Sequence, residues 1–246
     1  MYVDVVETAS ALARLSIKGT VVVALDIFRA TSTMITALAQ GVQVILPVAS
    51  EAEAFALQVR YPQAILGGER YGEPIQSFNL GNSPLEYHGE QLRDSTLIFM
   101  STNGTKAILA AKEADKIYLG SFLNALPIAQ KLRDEKDIIL ACAGTKGTYS
   151  LEDTCCAGYI IHLLRKLGKP EFSDSAMAAL AVYEAYQANL TKHLSLSTNG
   201  RALVGRGHLA DIQYCCSRNM LSLVPEYVPQ EGILPFPCEE RRNCTL

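Results

Sequence analysis

At 246 residues, 49% of them apolar, the chain can bury a substantial core, which excludes a disordered or fibrous protein. Its 22 basic and 25 acidic residues are interspersed, leaving a formal charge of -3 and no basic run suited to nucleic acid. No apolar stretch reaches membrane-spanning length and residues 1–10 lack a leader pattern, so the expectation is a cytoplasmic protein handling small molecules, without nucleic-acid or membrane partners.

Residues 2–6 read as a first strand and 10–15 as a helical turn. The apolar run 20–25 has strand character, is ended by Asp26, and leads to a helix through Ala39 that Gly41 closes. A third strand at 42–47 precedes Ser50, an N-cap with Glu53 three residues on, for a helix to about Arg60 that Tyr61-Pro62 stops. A short apolar run at 64–66 opens into Gly67-Gly68-Glu69-Arg70-Tyr71-Gly72 and a polar loop over 73–84, whose length points to a functional role. A strand at 96–100 runs into Ser101-Thr102-Asn103-Gly104-Thr105 and a helix at 106–113. A strand at 116–120 and a helix at 124–133 follow.

Residues 138–142 are a further buried strand, followed by Gly144, Thr145, Gly147 and Thr148, small residues whose amides can face an anion. Ser150 and Asp153 have capping-box spacing, which starts a helix with Glu152 and Asp153 in its first turn. Beyond Gly168 the composition shifts. An Ala-rich apolar helix is expected over 175–190, a second Ser-Thr-Asn-Gly lies within 197–207, and a last helix over 208–218 contains Asp211. The tail from Val224 carries Pro225, Pro229, Pro235 and Pro237 and is expected to run extended over the surface.

Seven cysteines without a CxxC pair, two pairs of them adjacent, fit reduced thiols, and Cys142, Cys155 and Cys156 are expected to be buried. The scattered histidines offer no zinc-ligand spacing. Phe28 stands where a haloacid-dehalogenase phosphatase needs its second aspartate after Asp26, and Thr148 where a cysteine phosphatase loop beginning at Cys142 needs arginine. There is no GxSxG elbow, and AGTKGT is too short for a Walker A loop.

Three times an apolar strand enters a polar turn and then a helix, so Asp26, Glu69, Asn103 and Asp153 are expected together at one carboxyl edge of a sheet. Asp26, Glu69, Glu152 and Asp153 supply hard oxygen donors of the kind magnesium takes, with Arg29, Arg70 and Lys146 as counter-charges for an anionic substrate. The competing structural readings are a helix dipole satisfied by Glu152 and Asp153 and salt bridges occupying each arginine.

Taken in order, Asp26-Ile27-Phe28-Arg29-Ala30-Thr31-Ser32-Thr33, Gly68-Glu69-Arg70-Tyr71-Gly72 with Gly81-Asn82-Ser83-Pro84, Thr102-Asn103-Gly104-Thr105, Cys142-Ala143-Gly144 with Ser150-Leu151-Glu152-Asp153 and Ala157-Gly158, and Asp211 with Cys215 form five blocks. In that order they resemble the 2-phosphosulfolactate phosphatases of coenzyme M biosynthesis, the ComB-like proteins. The resemblance implies a three-layer α/β/α domain over residues 1–246 with a mostly parallel or mixed sheet, subdivided at about 168/169. It also implies Mg2+ and hydrolysis of 2-phosphosulfolactate, or a related phosphorylated 2-hydroxy acid, to sulfolactate and phosphate. On this reading Asp26, Arg29 and Asp153 are catalytic, and Asp26, Glu69 and Asp153 hold the metal. Arg70, Asn82, Ser83, Thr102, Asn103, Gly104, Thr105 and Lys146 bind the small anionic phosphorylated substrate, and the expected assembly is a homodimer. Asn79 stands where the family pattern has aspartate, which keeps open the alternative of a non-catalytic protein that binds a phosphorylated or sulfonated anion.

Overall fold

The computed structural model describes residues 1–237, so Cys238 and Cys244 lie outside it. The strands are β1 (Tyr2–Val6), β2 (Val21–Leu25), β3 (Val44–Val48), β4 (Ile65–Arg70), β5 (Glu73–Pro74), β6 (Thr96–Met100), β7 (Lys116–Gly120), β8 (Asp137–Cys142), β9 (Glu171–Phe172), β10 (Leu223–Val228) and β11 (Gly232–Pro237). They join one mixed sheet in the order β5-β4-β6-β3-β11-β10-β7-β2-β8-β1-β9. The helices are α1 (Ala9–Leu12), α2 (Ala30–Ala39), α3 (Glu51–Arg60), α4 (Gly104–Ala110), α5 (Ala125–Leu132), α6 (Leu151–Leu167), α7 (Asp174–Tyr186), α8 (Leu190–Leu194), α9 (Thr198–Gly205) and α10 (Leu209–Cys215).

The unbroken apolar run of β2 follows from cover on both faces, as parallel strands require. Val21, Val23 and Leu25 join the core formed with α5, α6 and α7. Val22 faces α1 and α4, and Ala24 faces the cluster around α2. That alternation, repeated in β8, sandwiches the sheet between two helical layers. Cys142, Cys155, Cys156, Cys215 and Cys216 are free thiols buried in the first of these cores, with burial pushing each one up. Among the described residues no helix is long and apolar enough to cross a membrane.

As far as Pro237 the proline-rich tail is not a surface strap, and the remainder lies outside the described residues. Residues 223–237 form the β10–β11 hairpin, inserted mid-sheet between β3 and β7. The prolines are tolerated because the hairpin meets each neighbour through a single bridge, Glu226 with Tyr118 and Ile233 with Ile45, so few ladder donors are demanded of it. Val224 and Ile233 are buried, which explains why apolar residues alternate with prolines.

The hairpin also corrects the expectation of a single carboxyl edge. Parallel strands β4, β6 and β3 lie on one side of it, and β7, β2, β8, β1 and β9 on the other. Three successive antiparallel pairings separate the two sets, which therefore run in opposite senses along the sheet. A twist of roughly 20–25° per strand, accumulated over the five steps from β6 to β2, turns the two sets by about 100° or more. Residues at the carboxyl ends of β2, β4 and β6 nonetheless line one cavity.

Candidate active site

The turn after β2 is built residue by residue from its sequence. The Thr31 hydroxyl donates to the Asp26 carbonyl and accepts from the Asp26 N–H, both at 3.0 Å. Ser32 donates to the Ile27 carbonyl at 3.1 Å, and Thr33 to the Asn82 carbonyl at 2.8 Å, which ties the 73–84 loop to α2. The Phe28–Arg29 peptide is cis, and the Phe28 carbonyl accepts from Asn199 Nδ2 at 2.7 Å. Each small hydroxyl therefore holds backbone, and the turn presents Asp26 and Arg29 inward.

Asp26 accepts the Ala30 and Gly104 amides at the starts of α2 and α4. Gly104 is needed there, since a Cβ would sit 2.7 Å from the Ala30 Cβ and 2.9 Å from Asp26 Oδ2. Burial, with the charges of Glu69 and Glu152, pushes Asp26 from 3.8 up to about 7, against the pull of those two amides. Asp153 is pushed well above the carboxylate range by burial, then by Asp26 and Glu152. Glu152 is raised by burial against hydrogen bonds from Ser197, Asn199 and Ser150.

Asp26, Arg29, Glu69, Asn82, Thr102, Asn103 and Lys146 all line one cavity of about 140 Å³. Glu69 arrives from β4 with both oxygens engaged: Oε1 accepts the Thr102 N–H at 2.5 Å, and Oε2 accepts the Gly72 N–H at 2.5 Å and the Thr102 hydroxyl at 3.0 Å. Asp153 lies behind the cavity wall, its Oδ1 accepting the Ile27 N–H at 2.8 Å and its Oδ2 the Gly144 N–H at 3.2 Å. Only half of the expected capping box forms, since Ser150 caps the Asp153 N–H while the Asp153 carboxylate braces two other loops.

The remaining sequence-picked residues divide. Arg29 is buried in an ion pair with Asp211 at 2.5 Å, and Ser83 donates to the other oxygen of Asp211 at 2.6 Å. Thr105 turns its hydroxyl to the Ser101 carbonyl, and its N–H is held by the Ser101 side chain. The Gly104 N–H is taken by Asp26, so the first two amides of α4 are both held by side chains of the protein. Arg70 points away from the cavity, paired with Glu51 at 2.9 Å and 57% exposed. Asn79 accepts the Leu66 N–H at 2.8 Å and supports β4 rather than the cavity, so its replacement of aspartate touches scaffold.

Sequence reasoning missed one whole wall. The second Ser-Thr-Asn-Gly starts α9 with Ser197 as N-cap, and Thr198, Asn199, Ala202, Leu203 and Arg206 face the cavity. The repeated tetrapeptide was the available signal, because Thr102 and Asn103 line the cavity from the first copy.

Residues 7–230 match the model of the 2-phosphosulpholactate phosphatase family. The chain belongs to this family. Among relatives named probable 2-phosphosulfolactate phosphatase, that of Carboxydothermus hydrogenoformans is 44% identical over 215 residues, covering 87% of this chain and 88% of its own length. That of Symbiobacterium thermophilum is 38% identical over 220 residues, covering 88% and 94%. That of Clostridium novyi is 37% identical over 234 residues, covering 92% and 97%. The family's name describes phosphoric monoester hydrolysis, and this cavity with its buried carboxylate and ringed cations is the chemical setting such a reaction needs.

Proposed function

We propose that this chain is a phosphatase of small phosphorylated 2-hydroxy acids, with 2-phosphosulfolactate as the leading substrate. The observation that carries the reading is Asp26, a buried carboxylate raised to about 7 inside a cavity that also holds Arg29 and Lys146. A group titrating near neutral pH can take a proton from an attacking water and return it to a leaving alkoxide. Arg29, its guanidinium fixed by Asp211, directs donors at phosphoryl oxygens. Asn103 and Asn82 offer amide groups on the same surface.

Among the described residues no three acidic, histidine or cysteine groups are arranged to cage a metal. Asp26 and Glu69 both face the cavity, however, and their charges crowd each other. That donor set fits Mg2+ held by one or two carboxylates, the remaining positions being filled by water and substrate phosphate. When bound, the ion would polarise a phosphoryl oxygen and, by offsetting this excess negative charge, would draw Asp26 back toward the ionised form that a base needs. Asp153, with both oxygens on backbone amides, acts as a positioning residue that fixes Ile27 and through it Asp26. The alternative of a non-catalytic binder drew on Asn79, which lies outside the cavity.

The test is phosphate release from 2-phosphosulfolactate, 2-phospholactate and phosphoglycolate, with Mg2+ or with chelator. Magnesium-dependent turnover of at least one, abolished in Asp26→Asn, is expected. Equal release by wild type and Asp26→Asn overturns the reading.

A further inference from the structure

The phosphate has its partners at the Asp26 end of the cavity, but a phosphorylated hydroxy acid carries a second acidic group that needs its own cation. Arg29 is neutralised by buried Asp211, and Arg70 points elsewhere. Lys146 sits at the tip of the exposed 145–148 turn with φ of 54°, and no ion pair fixes its ammonium among the described residues. Arg206 differs from all three. It lies at the end of α9 on the cavity wall, and although it too is ion-paired, with Glu73 at 2.9 Å, that pair is solvent-exposed and uses Nε alone, unlike the buried Arg29–Asp211 pair, so a ligand can compete for the rest of the guanidinium fork. The β4–β5 turn packs against it: Gly72, at a φ of 82° that favours glycine, brings its backbone so close that a Cβ there would fall 2.4 Å from Arg206 Nη1 and push the guanidinium aside. Gly72 is in turn held by Glu69, which ties the guanidinium's seat to the floor of the same cavity.

We propose that Arg206 is the specificity residue of this site, binding the carboxylate or sulfonate that accompanies the phosphate. A planar fork braced on one edge matches a carboxylate or sulfonate better than a free ammonium does, because less freedom is lost on binding. The assignment rests on the phosphatase reading above for its substrate, and uses a wall that the five sequence blocks leave out.

The experiment compares wild type, Arg206→Gln, Arg206→Lys and Lys146→Gln on 2-phosphosulfolactate, 2-phospholactate and isopropyl phosphate, which has no second acid. Arg206→Gln should lower kcat/KM on the order of 10- to 100-fold for an acidic substrate and leave isopropyl phosphate within about twofold. Arg206→Lys should recover part of the loss. Loss confined to phosphosulfolactate assigns the sulfonate to Arg206, and loss on both acids assigns the carboxylate. Equal loss on all three substrates, or a selective loss in Lys146→Gln but none in Arg206→Gln, overturns the proposal. Should wild type release phosphate from none of them, the phosphatase reading fails, and calorimetric binding of sulfolactate then decides on Arg206. Weakening by the same factor in Arg206→Gln upholds it, whereas unchanged affinity, or no binding by wild type, overturns it.

Discussion

Replacing Asp26 by asparagine should make the protein more stable at alkaline pH while removing its activity. In the folded chain the carboxyl is pushed from 3.8 to about 7 by burial and by Glu69 and Glu152. Between those values the native state holds a proton that the unfolded chain has released, so stability falls as pH rises. The contribution of neutral Asp26 is fully present below 3.8 and is lost as pH climbs through about 7. About three units at 1.36 kcal/mol each put the cost of ionising it at roughly 4 kcal/mol as an upper bound. Asparagine avoids that cost, but it has one oxygen where the carboxylate has two, and the Ala30 or Gly104 N–H then loses its acceptor at about 1–3 kcal/mol. The net gain expected at pH 8 is about 1–3 kcal/mol, fading at pH 5 where wild type is itself neutral. Urea unfolding of both proteins at the two pH values, with chelator present, reads this directly. Destabilisation at pH 8, or a gain that does not change with pH, refutes the assignment of strain to this carboxylate.

Two further substitutions separate positioning from reaction. Asp153→Asn should cost about 1–3 kcal/mol at acid pH, because the Ile27 or Gly144 N–H loses its acceptor, and less at alkaline pH, where it also removes a carboxylate whose ionisation burial opposes. It should also slow phosphate release across a whole Mg2+ titration rather than shift its midpoint, and a shifted midpoint at unchanged maximal rate would make Asp153 a metal ligand instead. Gly104→Ala forces a methyl to 2.9 Å from Asp26 Oδ2, which predicts a loss of about 1–3 kcal/mol and a rate reduction on the order of a hundredfold. Near-normal turnover in the alanine variant would show that Asp26 need not be held there.

The sequence was most legible where one residue has one job. The Asp26 turn could be placed because an apolar strand ends abruptly in polar residues, and the hydroxyls of Thr31, Ser32 and Thr33 each bond a nearby or loop carbonyl. Partnerships across long sequence distances were not legible. Nothing local tells that Arg29 pairs with Asp211, 182 residues away, or that Asp153 spends its oxygens on Ile27 and Gly144. Arg70 sits in the right block yet turns outward, because alternate residues of a strand face opposite sides and Glu69 takes the inner one. The prolines of residues 223–237 misled for a physical reason: their penalty applies to a full ladder, and this hairpin makes only single bridges to its neighbours.

That hairpin also sets an order of events during synthesis. The strands that join the two parallel sets come from the end of the described chain, about 100 residues after β7. At roughly 5–20 residues per second, β7 waits about 5–20 s and β3 about 10–40 s before the segment that covers their facing edges exists. Over that interval the nascent protein exposes two unpaired strand edges of apolar character, the surface most prone to pair with another chain. The cavity shares this timing, because its α9 wall follows α4 and α6 in the chain, so the site cannot close around an anion until residues 198–206 have been made.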